Sequence, residues 1–223
     1  MSLLFLILAS QESPLNISFY SVYIYKGEMP VKRTPKVHKF HEGSSDDQLP
    51  VVSMFIDKGG TGAYGRIDIE LFVNRVPKAC DIFLQGCAFA ATGDKRNVKR
   101  GSCKSYRFVR LTNEGLQVGE RSGSRGASLV EFDSEIGRVN HGIGVVSLCR
   151  SVSSFDESFF FCITDNRSEL DSLDKRHVAF GRVIEGLNEL LSLRDALLSY
   201  VQEGCLIGDN PYTISELVLK SCK

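Results

Sequence analysis

Ser158-Phe159-Phe160-Phe161-Cys162-Ile163-Thr164, the polar run Asp165 to Lys175, and the return His177-Val178-Ala179-Phe180-Gly181-Arg182-Val183-Ile184 form the stretch whose reading decides the fold. A short run of aromatic, β-branched and small apolar residues bounded by turn residues reads as a strand buried on both sides. Asp165 to Lys175 reads as a loop. The second apolar run, ending at Glu185-Gly186, reads as a second strand with His177 at its mouth. Strand, loop and strand bring the chain back to one wall.

Working outward, Leu187 to Leu198 places Leu187, Leu190, Leu191 and Leu198 at helical spacing, and Ile214, Leu217 and Leu219 suggest a closing strand. Upstream, Val51 to Asp57 reads as a strand, and a turn containing Gly59, Gly60 and Gly62 follows. Gly65 to Phe72 then alternates apolar and polar residues, as a strand with one wet face does. Val76-Pro77-Lys78 opens a helix with proline at its first position, and Ala79, Ile82 and Phe83 share one face. Short strands are expected at Tyr106 to Leu111, Leu116 to Val118 and Val145 to Leu148. The sum is close to eight strands and two helices that do not alternate with them, which excludes a doubly wound parallel sheet. The reading is mainly β: a closed eight-stranded antiparallel barrel capped by two α-helices, since closure removes exposed edges.

A chain of 223 residues that is 43% hydrophobic supports one well-buried core with an appendage. Its 27 basic and 27 acidic residues cancel, so no global field points to nucleic acid or a membrane surface. The basic run Lys95, Arg96, Lys99, Arg100, Lys104, Arg107 and Arg110 lacks interleaved aromatics and reads as a solvated loop with a modest steering effect. Seven scattered cysteines without CxxC pairs argue against a zinc site and for buried small residues in a reducing compartment. Residues 1–50 read as an N-terminal extension and linker, and residues 51–223 as the folded domain. The extension contains a strand-like Ser18 to Tyr25 and a proline- and glycine-bearing stretch from Lys26 to Pro50. Leu3 to Ala9 is apolar but has no basic residue before it, so a weak signal-like start and a plain hydrophobic tail both fit. The expected location is the cytoplasm, or the secretory pathway if that start acts as a signal.

Gly65-Arg66-Ile67-x-Ile69-Glu70-Leu71-Phe72, Val76-Pro77-Lys78, Phe108-x-Arg110, Ser158-x-Phe160-Phe161 and Leu173-Asp174-x-x-His177-Val178-x-Phe180-Gly181 occur in the order and spacing of a cyclophilin. Over residues 51–223 the chain resembles a divergent member of that family, and the resemblance implies peptidyl-prolyl cis-trans isomerisation. It implies Arg110 as the catalytic arginine and Gln117 as the glutamine that orients it. Phe161, Leu173 and His177 are implied as the groups shaping the proline pocket. Arg107 would replace Arg110 only under a one-step shift that turns it to the other face. No cofactor or metal is implied. The partners are proline-containing peptides or proteins, with no nucleic acid and no membrane, and a monomer is expected.

The departures from the family pattern also lie at the site. Phe159 stands where a substrate-binding glutamine is usual, Arg150 where an asparagine is usual, and Cys149 in place of an alanine, so these three are counted among the substrate-binding positions. Ser172 replaces a tryptophan carried by many members, which implies weak binding of cyclosporin. Loss of one well-placed polar contact costs about 10² to 10³ in rate, so reduced activity is expected. The alternative is a non-catalytic module that binds proline-containing segments or acts as a scaffold.

Overall fold

The computed structural model describes residues 49–59, 62–87, 98–101, 106–120, 127–128, 132–150 and 154–220. The expectations placed on residues 1–48, among them the strand-like Ser18 to Tyr25, fall outside them, as do Lys95, Arg96 and Lys104 of the basic run.

The strands are β1 (Val51–Lys58), β2 (Ala63–Leu71), β3 (Val98–Gly101), β4 (Tyr106–Leu111), β5 (Gly115–Glu120), β6 (Ala127–Ser128), β7 (Val145–Arg150), β8 (Ser154–Cys162), β9 (Ala179–Glu185) and β10 (Tyr212–Lys220). All the pairs are antiparallel. Eight of the strands run in the order β10-β1-β2-β9-β7-β8-β5-β4, and short β3 and β6 attach to β10 and β8. The cylinder is drawn nearly shut where Ile207 N donates to Val109 O at 2.9 Å and Arg110 bridges Leu206. This is the barrel expected from the strand count.

Among the described residues three α-helices accompany it, one more than expected. Helix α1 (Pro77–Gly86) and helix α3 (Leu187–Leu197) match the periodic leucine and alanine-phenylalanine patterns. Gly186 precedes α3 at φ 87, and a Cβ there would lie 2.2 Å from Arg66 O, so only glycine fits this corner. Helix α2 (Arg167–Arg176) occupies the run that reads as a loop. Its polarity hides it, but the local chemistry is that of a helix. Asn166 Oδ1 accepts from Ser168 N at 3.0 Å, Arg167 and Asp171 pair one turn apart at 2.9 Å, and Leu170 and Leu173 are its buried residues.

Among the described residues the core is one cluster that joins strand residues to the buried faces of the three helices. Cys80, Cys87 and Cys162 belong to it, and burial pushes the thiols of Cys80 and Cys162 up to about 12 and about 11. They are packing residues at any physiological pH. Cys149 is half-buried and Cys205 is exposed.

Helix α1 begins at a proline behind Val76, which has no side chain able to cap it. Its first-turn amides are served from a distance. Lys78 N donates to Glu135 Oε1 and Ala79 N to Glu135 Oε2, both at 3.0 Å, from a buried carboxylate that also faces the positive end of the helix. Glu135→Ala leaves two amides without an acceptor and is expected to lower the unfolding free energy by about 1–3 kcal/mol. Glu135→Gln keeps one acceptor and should lose less. The shift in urea midpoint of the two variants checks this.

Candidate active site

Side chains alternate across a strand, so the ladder registers sort the site residues into rows. Leu111, Leu116, Phe161 and Val146 are successive Cα partners across β4, β5, β8 and β7, and all four are buried. On the other side of that row, Phe108, Val118, Phe159 and Leu148 form a second buried set. Between the two lies the row Arg110, Gln117, Phe160 and Ser147 on the opposite side of the strands, exposed at Arg110 and buried at Phe160 and Ser147.

This assignment corrects the sequence reading of β8. Phe161 is 0% exposed and Phe159 2%, and Phe159 packs its ring against Phe83, Tyr106, Phe161 and Phe180. Rings enclosed in this way cannot line a cleft that substrate enters. Phe160, at 7%, is the aromatic residue of the outer row. Three consecutive phenylalanines carry no phase of their own, and an alignment by residue type slips by one without penalty.

Arg110 and Gln117 are brought together as the resemblance implies: they are direct partners, Arg110 exposed and Gln117 half-buried. The ladder shifts between Phe108 and Arg110. That irregularity sets Arg107 opposite Gly119 and Arg110 opposite Gln117, two positions apart on β5, so both arginines belong to the outer side. The backbone of Arg110 is held from two directions, by β5 and by the bridge to Leu206.

From Arg110 the row runs inward. Two strand spacings, about 10 Å, separate the backbone of Arg110 from that of Phe160. The Phe160 ring leans over Gly115, where a Cβ would come within 2.7 Å of Phe160 Cδ2, so glycine is required for this close approach. The His177 ring is T-shaped to it with centroids 5.1 Å apart at 80°, and the ring of His141 lies parallel to it at 6.1 Å and 4°. Leu173 is buried on α2 and accepts from His177 N at 2.9 Å, so it backs the histidine from inside the core. Cys149 and Arg150 sit at the end of β7, where Arg150 Nη1 donates to Arg176 O at 3.4 Å.

His177 Nδ1 lies 3.2 Å from Leu148 O. A carbonyl only accepts, so Nδ1 carries the proton and Nε2 of the neutral ring is bare. Burial pushes His177 down to about 4; the bond to Leu148 opposes this, and the positive fields of His141, Arg176 and Arg150 add to it. The ring is therefore neutral at pH 7. His141 and Asp174, which the sequence reading did not select, join Ser147 beneath Phe160. Their signal was weak, because Asp174 is 33 residues along the chain from His141.

Among the described residues no group of histidines, cysteines and carboxylates is arranged to hold a metal ion. The geometry offers an exposed arginine on a backbone held from two sides, paired across the ladder with a half-buried glutamine whose other neighbour is Phe160.

The family described as cyclophilin type peptidyl-prolyl cis-trans isomerase/CLD matches residues 55–213. Among solved structures, the crystal structure of a cyclophilin type peptidyl-prolyl cis-trans isomerase from Cryptosporidium parvum matches with a TM-score of 0.56 at 20% identity, covering 78% of this chain and 98% of that one. At that identity the likeness speaks for the fold.

The neutral histidines make stability fall in acid. Between pH 6.5 and about 4 the unfolded chain holds the His177 proton and the folded one does not, so unfolding gains as pH drops through this window. Burial of His141 lowers its proton affinity as well and acts in the same direction. The His177 contribution is on the order of 2–3 kcal/mol. Urea unfolding from pH 7 to pH 4 should show this loss, with a shallower slope in His177→Gln.

Proposed function

Because this chain belongs to the cyclophilin-type peptidyl-prolyl cis-trans isomerase family, we propose that its outer row of side chains catalyses rotation about Xaa-Pro bonds in proline-containing peptides or proteins. The observation that carries this reading is the pairing of Arg110 with Gln117 beside Phe160 on one side of the sheet.

Rotation about an X-Pro bond takes tens to hundreds of seconds unaided, over a barrier of roughly 20 kcal/mol set by amide resonance. No bond is made or broken to heavy atoms, so neither nucleophile nor metal is required. What lowers the barrier is a donor that favours the twisted amide over the planar one. In the proposed arrangement Arg110 directs its guanidinium at the prolyl nitrogen as that nitrogen turns pyramidal. The Gln117 amide steadies the guanidinium from the neighbouring strand. Phe160, edged by His177 and backed by Leu173, grips the proline ring while the preceding carbonyl swings. Neutral His177 adds no positive charge to compete with Arg110.

A second reading keeps the binding and drops the catalysis. Phe159, aligned by residue type with a substrate-binding glutamine, is enclosed in the core, and Arg150 is engaged by the Arg176 carbonyl. Both observations subtract polar contacts from the substrate's backbone and favour a module that holds proline-containing segments without turning them over.

A relaxation assay on a short Xaa-Pro peptide separates the two. Acceleration by the wild-type protein, reduced about 10² to 10³-fold by Arg110→Ala with the fold intact, is the expected result. Affinity without acceleration selects the binding module, and neither leaves the barrel as a scaffold. The corrected register has its own test. Both Phe160→Ala and Phe161→Ala should lower stability, up to about 3–5 kcal/mol, but only Phe160→Ala should weaken the peptide affinity of the protein that remains folded. The reverse pattern would restore Phe161 to the cleft.

A further inference from the structure

Three polar side chains that take no part in the chemistry above are linked in a row, from α2, from the loop before β7 and from β7 itself, and the middle one lies against the Phe160 ring. Asp174 Oδ1 of α2 accepts from His141 N at 2.6 Å and lies 2.7 Å from His141 Nδ1. A carboxylate accepts, so Nδ1 holds the proton; Nε2 is then an acceptor, and the Ser147 hydroxyl of β7 donates to it at 3.1 Å. These distances are those of a nucleophilic relay. The burial is not. Ser147 is 0% exposed and stands in the ladder between Phe160 and Ala179, so no carbonyl carbon reaches its Oγ. The relay is a fixture, and what it fixes is the His141 ring.

That ring lies flat against Phe160, with 4° between the planes. His177 meets Phe160 from another side, and the backbone of Gly115 stops it below. The Phe160 ring thus has its orientation set by neighbours that are themselves tied down, and His141 is tied at both nitrogens and at its backbone amide. We propose that the Asp174–His141–Ser147 relay clamps Phe160 as the wall of the proline cleft, making His141 a positioning residue for substrate. This rests on the reading that the outer row binds the prolyl segment.

Asp174→Ala cuts the relay at its carboxylate, Asp174→Asn keeps an acceptor for Nδ1–H, and Ser147→Ala cuts the far end with little change in volume. The measurements are the aromatic NMR resonances of Phe160 in the free protein and steady-state turnover of an Xaa-Pro peptide. The two alanine variants should move the Phe160 resonances and raise KM about tenfold with kcat changed less, since a grip used in both ground and transition states is what is lost. Asp174→Asn should stay close to wild type in both. If Asp174→Ala does not fold, Ser147→Ala decides alone. Lower stability with unmoved Phe160 resonances, or with unchanged KM, makes the relay an ordinary tie between α2 and the barrel and overturns the clamp. Wild-type protein that neither binds nor turns over the peptide overturns the isomerase reading together with the substrate half of this one, whereas an active wild type with unaffected variants overturns the clamp alone.

Discussion

Phe159 is the ring on which the arrangement of this molecule turns. It meets Phe83 of α1 edge-on at 5.1 Å, Phe180 of β9 at 6.4 Å, Tyr106 of β4 at 6.2 Å and Phe161 of its own strand at 5.7 Å. Three of these contacts are edge-to-face, an arrangement worth more than the area it buries, and together the four admit one orientation of the strand. Once Phe159 faces inward, pleating sends Phe161 inward and Phe160 outward. The same step fixes Gln117 and Ser147 as outer residues through their ladder partners. A choice made in the core is thereby transmitted to every position of the candidate site.

The outer row is graded. At one end Arg110 is in water; at the other Ser147 is sealed beneath His141 and the helix that carries Asp174. Gln117 and Phe160 lie between. A proline segment approaching this face would meet a hydrated cation and an apolar wall within a few side-chain lengths, which suits a reaction whose only requirement is a donor placed against a bond losing its planarity. The site residues stand mostly on strands or a helix, whose backbones are already ordered by pairing.

Much of this could be read from the chain alone. Alternation in Gly65 to Phe72, the proline before Ala79, and the apolar return at His177 point to a capped barrel, and the spacing of Arg110 and Gln117 survives as a direct pairing. What escaped has physical reasons. The triple phenylalanine is symmetric under a one-residue slip, so its phase is set by Phe83, Phe180 and Gly115, which lie far off in sequence. Helix α2 is held by an asparagine cap, an ion pair and only two buried leucines, too faint an apolar stripe for its polar composition. The ladder shift before Arg110 is a backbone event without a residue signature, and it allows Arg107 to share a side that strict alternation would deny it. His141 and Asp174 find each other only because the loop before β7 and α2 converge on one ring.

The first barrel strand lies beside the last: Val51 is the Cα partner of Lys220, and the ladder continues to Lys58 opposite Tyr212. A cylinder sewn along that seam has no privileged beginning. A short peptide joining positions 220 and 51 would leave each ladder in place and let the chain be opened at another turn, so the order in which the strands are translated is separable from the architecture they reach.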